Sequence, residues 1–394
     1  MTASAASGVT FVNANIGGDI GSLRIQGAYI AALNVGPEPQ DAVVDLGGDR
    51  LLPGFINAHD HLQLNSLPAC VSSGGYVHAR DWVSDVNARR RTDPHFEAHV
   101  AVPRDDRLLL GGVKNLLSGA TTVAHHDTLY PCLTHADYPI AVVRNYGWSH
   151  SLYIDGEDEV AASYRCTPAE WPWIMHAAEG LNEEAAHEFE RLDALACIQQ
   201  NTLLVHGIAL DQSQRSRLMQ AGAALIWCPS SNLNLFGKSA EVRDLLAGQR
   251  IAIGTDSRLS GSRDLLDELS LASELSGLDD DSLEYLVTRA AARLLRLRDR
   301  GELRPGLRAD LVVMPARVRL SAAYRADLRL VMVGGMVRYG DVDCAEHFGP
   351  SSEWAHVMVD GRSKILDSRT AAMVSQSRAV EAGLEISNVA WRAA

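Results

Sequence analysis

From residue 51 to about residue 300, short apolar runs alternate with helix-like stretches, and no other feature constrains the fold as strongly. LLPGFINAHDHL (51–62), ATTVAHHD, AVVRNYGWSHSLYI, WPWIMHAAEG, NTLLVHG, AALIWCPSSN and RIAIGTDS read as buried strands. RDDRLLLGGVKNLLSG, the stretch from about Asn182 to Ala196, DQSQRSRLMQAG, RDLLDELSLASEL and DSLEYLVTRAAARLLRL read as helices. Apolar strands separated by helices make βα units around a parallel sheet.

The two ends have a different texture. GVTFVNANI, SLRIQGAYIAALNVG and DAVVDLGGDRLLPG alternate apolar and polar residues between glycine turns, and the same pattern returns at 309–315 and 328–341. Pairing the two sets predicts one small β-sandwich domain built from 1–52 and 301–346, with 53–300 inserted as the α/β domain. Residues 347–394 read as an extension carrying a helix at AAMVSQSRAVEAG. The segment 62–104 is long for a connection and reads as a lid or binding loop.

The formal net charge of −13 argues against nucleic acid and anionic membranes as partners. Six scattered cysteines without a CxxC pair read as reduced thiols. The first eighteen residues lack a basic region, and no run approaches the ~18 apolar residues of a membrane span. A cytoplasmic protein is the expectation, acting on a small molecule, with a homodimer as the default assembly.

Chemistry concentrates where strands end, the edge at which α/β folds build active sites. His59-x-His61 puts two imidazoles on one face of a strand, since residues i and i+2 point the same way. Zinc and iron accept such a pair, and a mononuclear site needs further donors. His176 after WPWIM, His206 after TLLV and Asp256 after IAIGT occupy equivalent positions. One such histidine alone is more often a satisfied polar residue; a series of them is hard to read that way. Glu179, three residues beyond His176, is placed either to carry a proton or simply to open the following helix.

PGFINAHDHL, HAAE, VHG, CPSSN and GTDS, in this order and spacing, resemble the amidohydrolase superfamily, in particular its mononuclear cytosine-deaminase-like and triazine-hydrolase-like members. The resemblance covers nearly the whole chain. It implies a distorted (β/α)8 barrel, with His59, His61, His176 and Asp256 holding one divalent metal. Zn2+ is the default ion; Fe2+ and Mn2+ suit the same donors. It implies that Glu179 shuttles a proton, that His206 contacts the attacking water or substrate, and that Asp256 takes the proton of a metal-activated water. Binuclear relatives carry a bridging lysine at a strand end. Here Lys114 falls in a helix and Lys238 in a loop. The implied reaction is hydrolysis of a C–N bond, first of all deamination of a small heterocycle or amidine. Hydrolysis of a cyclic amide or another ring substituent is the alternative, and an inactive metal-binding scaffold the outsider. The other zinc deaminase pattern is absent, because Pro131-Cys132 has no second cysteine three residues on.

The chain departs from that pattern before His176, where one βα unit is abbreviated. Further candidates for substrate contact are Gln63, two residues past His61, and the pair His125–His126 after ATTVA. Arg258, beside the Asp256 loop, is the candidate for a substrate carboxylate, although a pairing with nearby aspartates would serve it equally. Ser231 and Asn232 read as turn residues, and Trp82, Trp148, Trp171 and Trp173 as core residues or ring-stacking surfaces.

Overall fold

The computed structural model describes residues 8–345, 347–348 and 353–386. Five strands come first: β1 (Gly8–Ile16), β2 (Asp19–Gln26), β3 (Tyr29–Leu33), β4 (Asp41–Asp45) and β5 (Arg50–Pro53). The middle supplies eight parallel strands: β6 (Phe55–Asp60), β7 (Ala120–His125), β8 (Ala141–Val142), β9 (Gly147–Trp148), β10 (Trp173–Ala177), β11 (Thr202–His206), β12 (Ala224–Trp227) and β13 (Ile251–Ile253). The remaining strands are β14 (Leu311–Met314), β15 (Leu330–Val333), β16 (Met336–Gly340), β17 (Trp354–Val359), β18 (Arg362–Asp367) and β19 (Leu384–Ile386).

The two ends of the chain meet where β5 pairs antiparallel with β14, in the register Leu52↔Val312. This joins them into one eleven-stranded sheet. Period-two alternation separates its faces. Leu311, Val313 and Met332 pack with Phe11, Leu23 and Ile25 in the sheet's own core. Val312, Met314 and Val331 face the other way, into the core shared with the barrel helices.

The C-terminal strands differ from expectation. They are not an appended extension: β18 pairs with β16 and β17 with β18, so residues 354–367 continue the same sheet. Their alternating pattern supplies the ladder, and the helix of this region spans Ser368–Gln376.

The barrel closes from its last strand to its first, where Asp60 bridges Asp256 and the His61 N–H donates to the Asp256 carbonyl at 3.2 Å. It is irregular between β8 and β9. AVVRNYGWSHSLYI is not one strand; only the residues between Val142 and Gly147 join two short pieces, followed by a helical turn at Leu152–Asp155. Parallel neighbours need a crossover of roughly a dozen residues or more. The chain therefore follows β7 through Val142 and then passes to β10 at Gly147, with no helix between. The missing helix lies here rather than after residue 154, because EDEVAASYRC forms a full helix at Glu157–Cys166.

The long segment after His61 is partly helical, at Ala79–Arg89 and Pro94–Ala101, and leads into the helix Arg104–Leu117. No helix among the described residues is long and apolar enough to cross a membrane, and the six cysteines are free thiols.

Glu268 shows how burial enters the pH dependence of this fold. It is fully buried and accepts the Ser230 N–H at 2.9 Å and the hydroxyls of Ser230 and Ser262. Burial pushes its carboxyl up to about 7 from an ordinary 4.5. With the folded value the higher one, the favourable contribution is complete below about pH 4.5 and is lost as pH rises through 7. At about 1.4 kcal/mol per unit this amounts to roughly 3 kcal/mol. Glu268→Gln is expected to flatten the pH dependence of urea unfolding between pH 5 and 8 by about that amount. An unchanged slope would refute the assignment.

Candidate metal centre and active site

Alternation along β6 sends His59 and His61 one way and Asp60 the other. The two histidines enter the barrel mouth. Nε2 of His59 lies 3.2 Å from Nε2 of His176, and Nε2 of His61 lies 3.3 Å from the same atom. Both lie 3.5 Å from Oδ1 of Asp256. The other oxygen of Asp256 accepts from Ser231 Oγ at 2.8 Å and Ser260 Oγ at 2.5 Å, which leaves Oδ1 to face the imidazoles. Ser231 thus orients a site carboxylate; it lies in the helix Pro229–Phe236 and not in the turn expected from sequence.

These donors fit a metal ion. The carbonyl of His150 accepts from Nδ1 of His176 at 2.9 Å, so that ring carries its proton on Nδ1 and its lone pair on Nε2. Burial holds His59 down at about 4, hence neutral. Buried nitrogen lone pairs and a carboxylate oxygen crowded within 3.2–3.5 Å of each other repel unless a cation lies among them. Ligands about 2.0–2.1 Å from a tetrahedral ion stand roughly 3.3–3.4 Å apart, the spacing observed.

The segment carrying Asp256 reaches β6 because residue 254 is glycine. A Cβ there would stand 2.6 Å from Cβ of His59 and 2.9 Å from its nitrogen. Asp256, His206 and Ala178 adopt left-handed φ of +55°, +74° and +53°. Such a conformation costs a non-glycine residue about 1–3 kcal/mol, and here it clusters at the strand ends around the centre.

Glu179 is buried beside these groups, with Oε1 3.6 Å from Nε2 of His206. Burial first, then the negative charges of Asp256 and Glu188, push its carboxyl well above the ordinary range. His206 donates from Nδ1 to Oδ1 of Asn232 at 2.8 Å and so turns its Nε2 lone pair toward Glu179. Asn232, in the same helix as Ser231, is therefore an orienting group and not the turn residue expected from sequence.

The other candidates separate. His126 is buried against His176, ring centroids 4.4 Å apart, and gives its Nε2 proton to the Ser149 carbonyl at 2.9 Å. A donor atom of His126 also lies within 4.8 Å of those of His59, His61 and His176. His125 is wholly buried beside the Asp60 carbonyl and is absent from both clusters of donor atoms, His59–His61–His126–His176 and His59–His176–His206–Asp256. Gln63 donates to Asp127 at 2.8 Å and keeps a buried Oε1 without a partner.

Arg258 requires a correction. Its guanidinium grips Glu381 at 2.7 and 2.9 Å and donates to the Arg263 carbonyl at 2.8 Å. Glu381 is also held by Arg325, which is fully buried. Arg258 is thereby committed to tying the loop after Asp256 to the C-terminal segment, a partner 123 residues away.

Sequence reasoning missed His150. Its carbonyl orients His176, and its ring lies 4.8 Å from that of His176 at the mouth of the site. The only signal was a histidine after a Trp-Ser pair in an apolar stretch, which does not distinguish it from the other histidines.

The sequence pattern of the amidohydrolase family matches residues 166–361. Among curated relatives, a 5-methylthioadenosine/S-adenosylhomocysteine deaminase of Haloarcula marismortui is 30% identical over 340 residues, covering 73% of this chain and 78% of that protein. A protein of the same name from Halobacterium salinarum is 25% identical over 353 residues, covering 75% and 80%. Among solved structures, the zinc complex of atrazine chlorohydrolase TrzN from Arthrobacter aurescens superposes with a TM-score of 0.67 at 17% identity, covering 84% of this chain and 94% of that one.

Proposed function

Because this chain belongs to the amidohydrolase family, a metal-dependent hydrolase of non-peptide C–N bonds, we propose that it removes the exocyclic amino group of an amino-purine nucleoside. The observation that carries the reading is the meeting of Glu179, a carboxyl whose burial raises its pKa, with Asp256 and His206 around the imidazole cluster. The names of the relatives, which span about three quarters of the chain, favour a purine nucleoside over a triazine.

We assign His59, His61, His176 and Asp256 as the donors for one divalent ion, with zinc as the ion. A bound ion supplies a Lewis acid that makes water available as hydroxide near neutral pH. Asp256 accepts a proton of the attacking water through Oδ1. Water oxygen adds to the ring carbon that bears the amino group, while Glu179 gives its proton to the adjacent ring nitrogen. His206, fixed by Asn232, holds the entering oxygen in line. The proton held by Asp256 passes to the amino nitrogen and the C–N bond breaks; ammonia leaves, the hydroxyl proton returns to Glu179 and a carbonyl remains. Burial suits Glu179 to this task, because it shifts the carboxyl toward the proton-bearing form.

Two expected outcomes follow. Removing the metal with a chelator lowers the melting temperature reversibly, since only the folded chain gathers these donors; at free zinc ~1,000 times Kd the ion contributes about 4 kcal/mol. An unchanged melting temperature would argue that the donors hold no ion. In a panel of adenosine, 5′-modified adenosines, guanine, cytosine and amino-triazines, kcat/KM from ammonia release is highest for an adenosine. A triazine or pyrimidine far ahead of every purine would overturn the substrate assignment.

A further inference from the structure

A second concavity, about 770 Å3 in volume, opens at the opposite end of the barrel. Its lining includes Thr122, early in β7, Ala141, which opens β8, and Trp171, just before β10. All three are at strand starts, whereas the metal donors are at strand ends. The cleft lies where the connection from β8 to β9 has no helix, and Arg144 and Asn145 of that connection are exposed along it.

Its charge is at odds with the rest of the molecule. Arg144, Arg296, Arg298, Arg300 and Arg308 line it, opposed by Glu170 and Asp299, in a chain of net charge −13. Arg300 is neutralised by Asp299 at 3.0 Å and Asp310 at 3.3 Å. Among the described residues, Arg144 and Arg296 reach only main-chain carbonyls, of Thr134 at 3.1 Å and Gln200 at 2.8 Å. A carbonyl satisfies a donor without cancelling its charge. Arg298 has no carboxylate partner among the described residues, whereas Arg308 pairs with Asp310, its Nε 3.8 Å from Oδ2. The guanidinium groups of Arg144, Arg296 and Arg298, without a carboxylate partner among the described residues, match the forked geometry that binds phosphate oxygens. The volume falls within the range of small-molecule sites, and the half-buried Trp171 offers a flat face beside them.

We propose that this cleft binds a small phosphate-bearing polyanion, and that its occupancy is felt at the metal centre through residues 144–150. That segment begins in the cleft at Arg144 and ends at the two carbonyls that orient site imidazoles. Ser149 accepts from His126 at 2.9 Å, and His150 accepts from His176 at 2.9 Å. A ligand that fixes Arg144 restricts the backbone on which the orientation of His176 depends.

The test is calorimetric titration of the metal-loaded protein with pyrophosphate and with ADP, alongside light scattering. Binding is expected for both probes, weaker at high salt, and at least tenfold weaker in Arg298→Glu and in Arg144→Glu. Arg298→Gln is expected to lie between, and neither Arg298 variant to change ammonia release without the probe. Tighter binding of ADP that Trp171→Ala abolishes identifies a nucleotide; equal binding of the two identifies the phosphate groups alone. Slower metal loss to a chelator in the presence of pyrophosphate supports the coupling. No heat with either probe at millimolar concentration, affinity indifferent to both charge reversals, or a doubled mass with the cleft closed between copies would each overturn the site. Binding with an unchanged rate of metal loss would overturn the coupling.

Discussion

Glu179→Gln is expected to lower kcat by about 10²–10⁴-fold, the usual contribution of a positioned general acid or base, while the protein still binds one metal ion. Glutamine keeps the size of the side chain and removes the proton. Glu179 lies beside His206 and outside the set of Nε2 and Oδ1 atoms that face one another. The change should therefore separate proton transfer from metal binding. Stopped turnover with metal retained is the expected pair of results, measured by ammonia release and metal analysis on one sample. Loss of metal together with activity would mean that Glu179 is a ligand, and full activity would remove it from the mechanism.

The second large effect is structural and lies behind the metal. Asp60, between the two histidines of β6, points away from them into a fully buried polar cluster. It accepts from Lys114 Nζ at 3.2 Å, from Asn115 at 2.8 Å and from Asn65 at 2.8 Å. Lys114 also donates to Thr255 Oγ1 at 3.1 Å, and the Thr255 N–H donates to Asn57 Oδ1 at 3.1 Å. The cluster locks β6 to the residue preceding Asp256, so the same charges that hold the fold set the spacing of the donors. Lys114→Met strands the Asp60 charge in the interior and is expected to cost about 3–5 kcal/mol in urea unfolding. The double change Lys114→Met with Asp60→Leu removes both charges and is expected to recover much of that loss. A Lys114→Met protein as stable as the parent would show that the pair of Lys114 and Asp60 does not hold β6 in place.

Lys114 also shows where sequence stops being legible. In RDDRLLLGGVKNLLSG it reads as a polar residue of an amphipathic helix, and nothing local says that it faces inward. Its partners Asp60 and Thr255 lie 54 and 141 residues away. Arg258 misleads for the same reason, since Glu381 is distant in sequence. By contrast, the placement of His59, His61, His176, His206 and Asp256 near one another follows from short-range rules: an apolar run sets a buried strand, and its last residues reach the mouth. The roles of Ser149 and His150 run through carbonyl oxygens, which carry no residue-specific signature. The gap between β8 and β9 is visible as a shortage of residues, but its position is not, because AVVRNYGWSHSLYI is as apolar as a true strand. The β domain was readable from alternation at both ends. The joining of 354–367 to the same sheet was not, since alternation does not name the neighbouring strand.

One measurement bears most directly on the account: ammonia release from an adenosine substrate as a function of zinc bound per chain, starting from metal-free protein. The rate is expected to be negligible without metal, to rise in proportion to occupancy and to level off at one ion per chain. Undiminished ammonia release by the metal-free protein would contradict the role given to His59, His61, His176 and Asp256. No release at full occupancy from any amino-substituted heterocycle would contradict deamination itself.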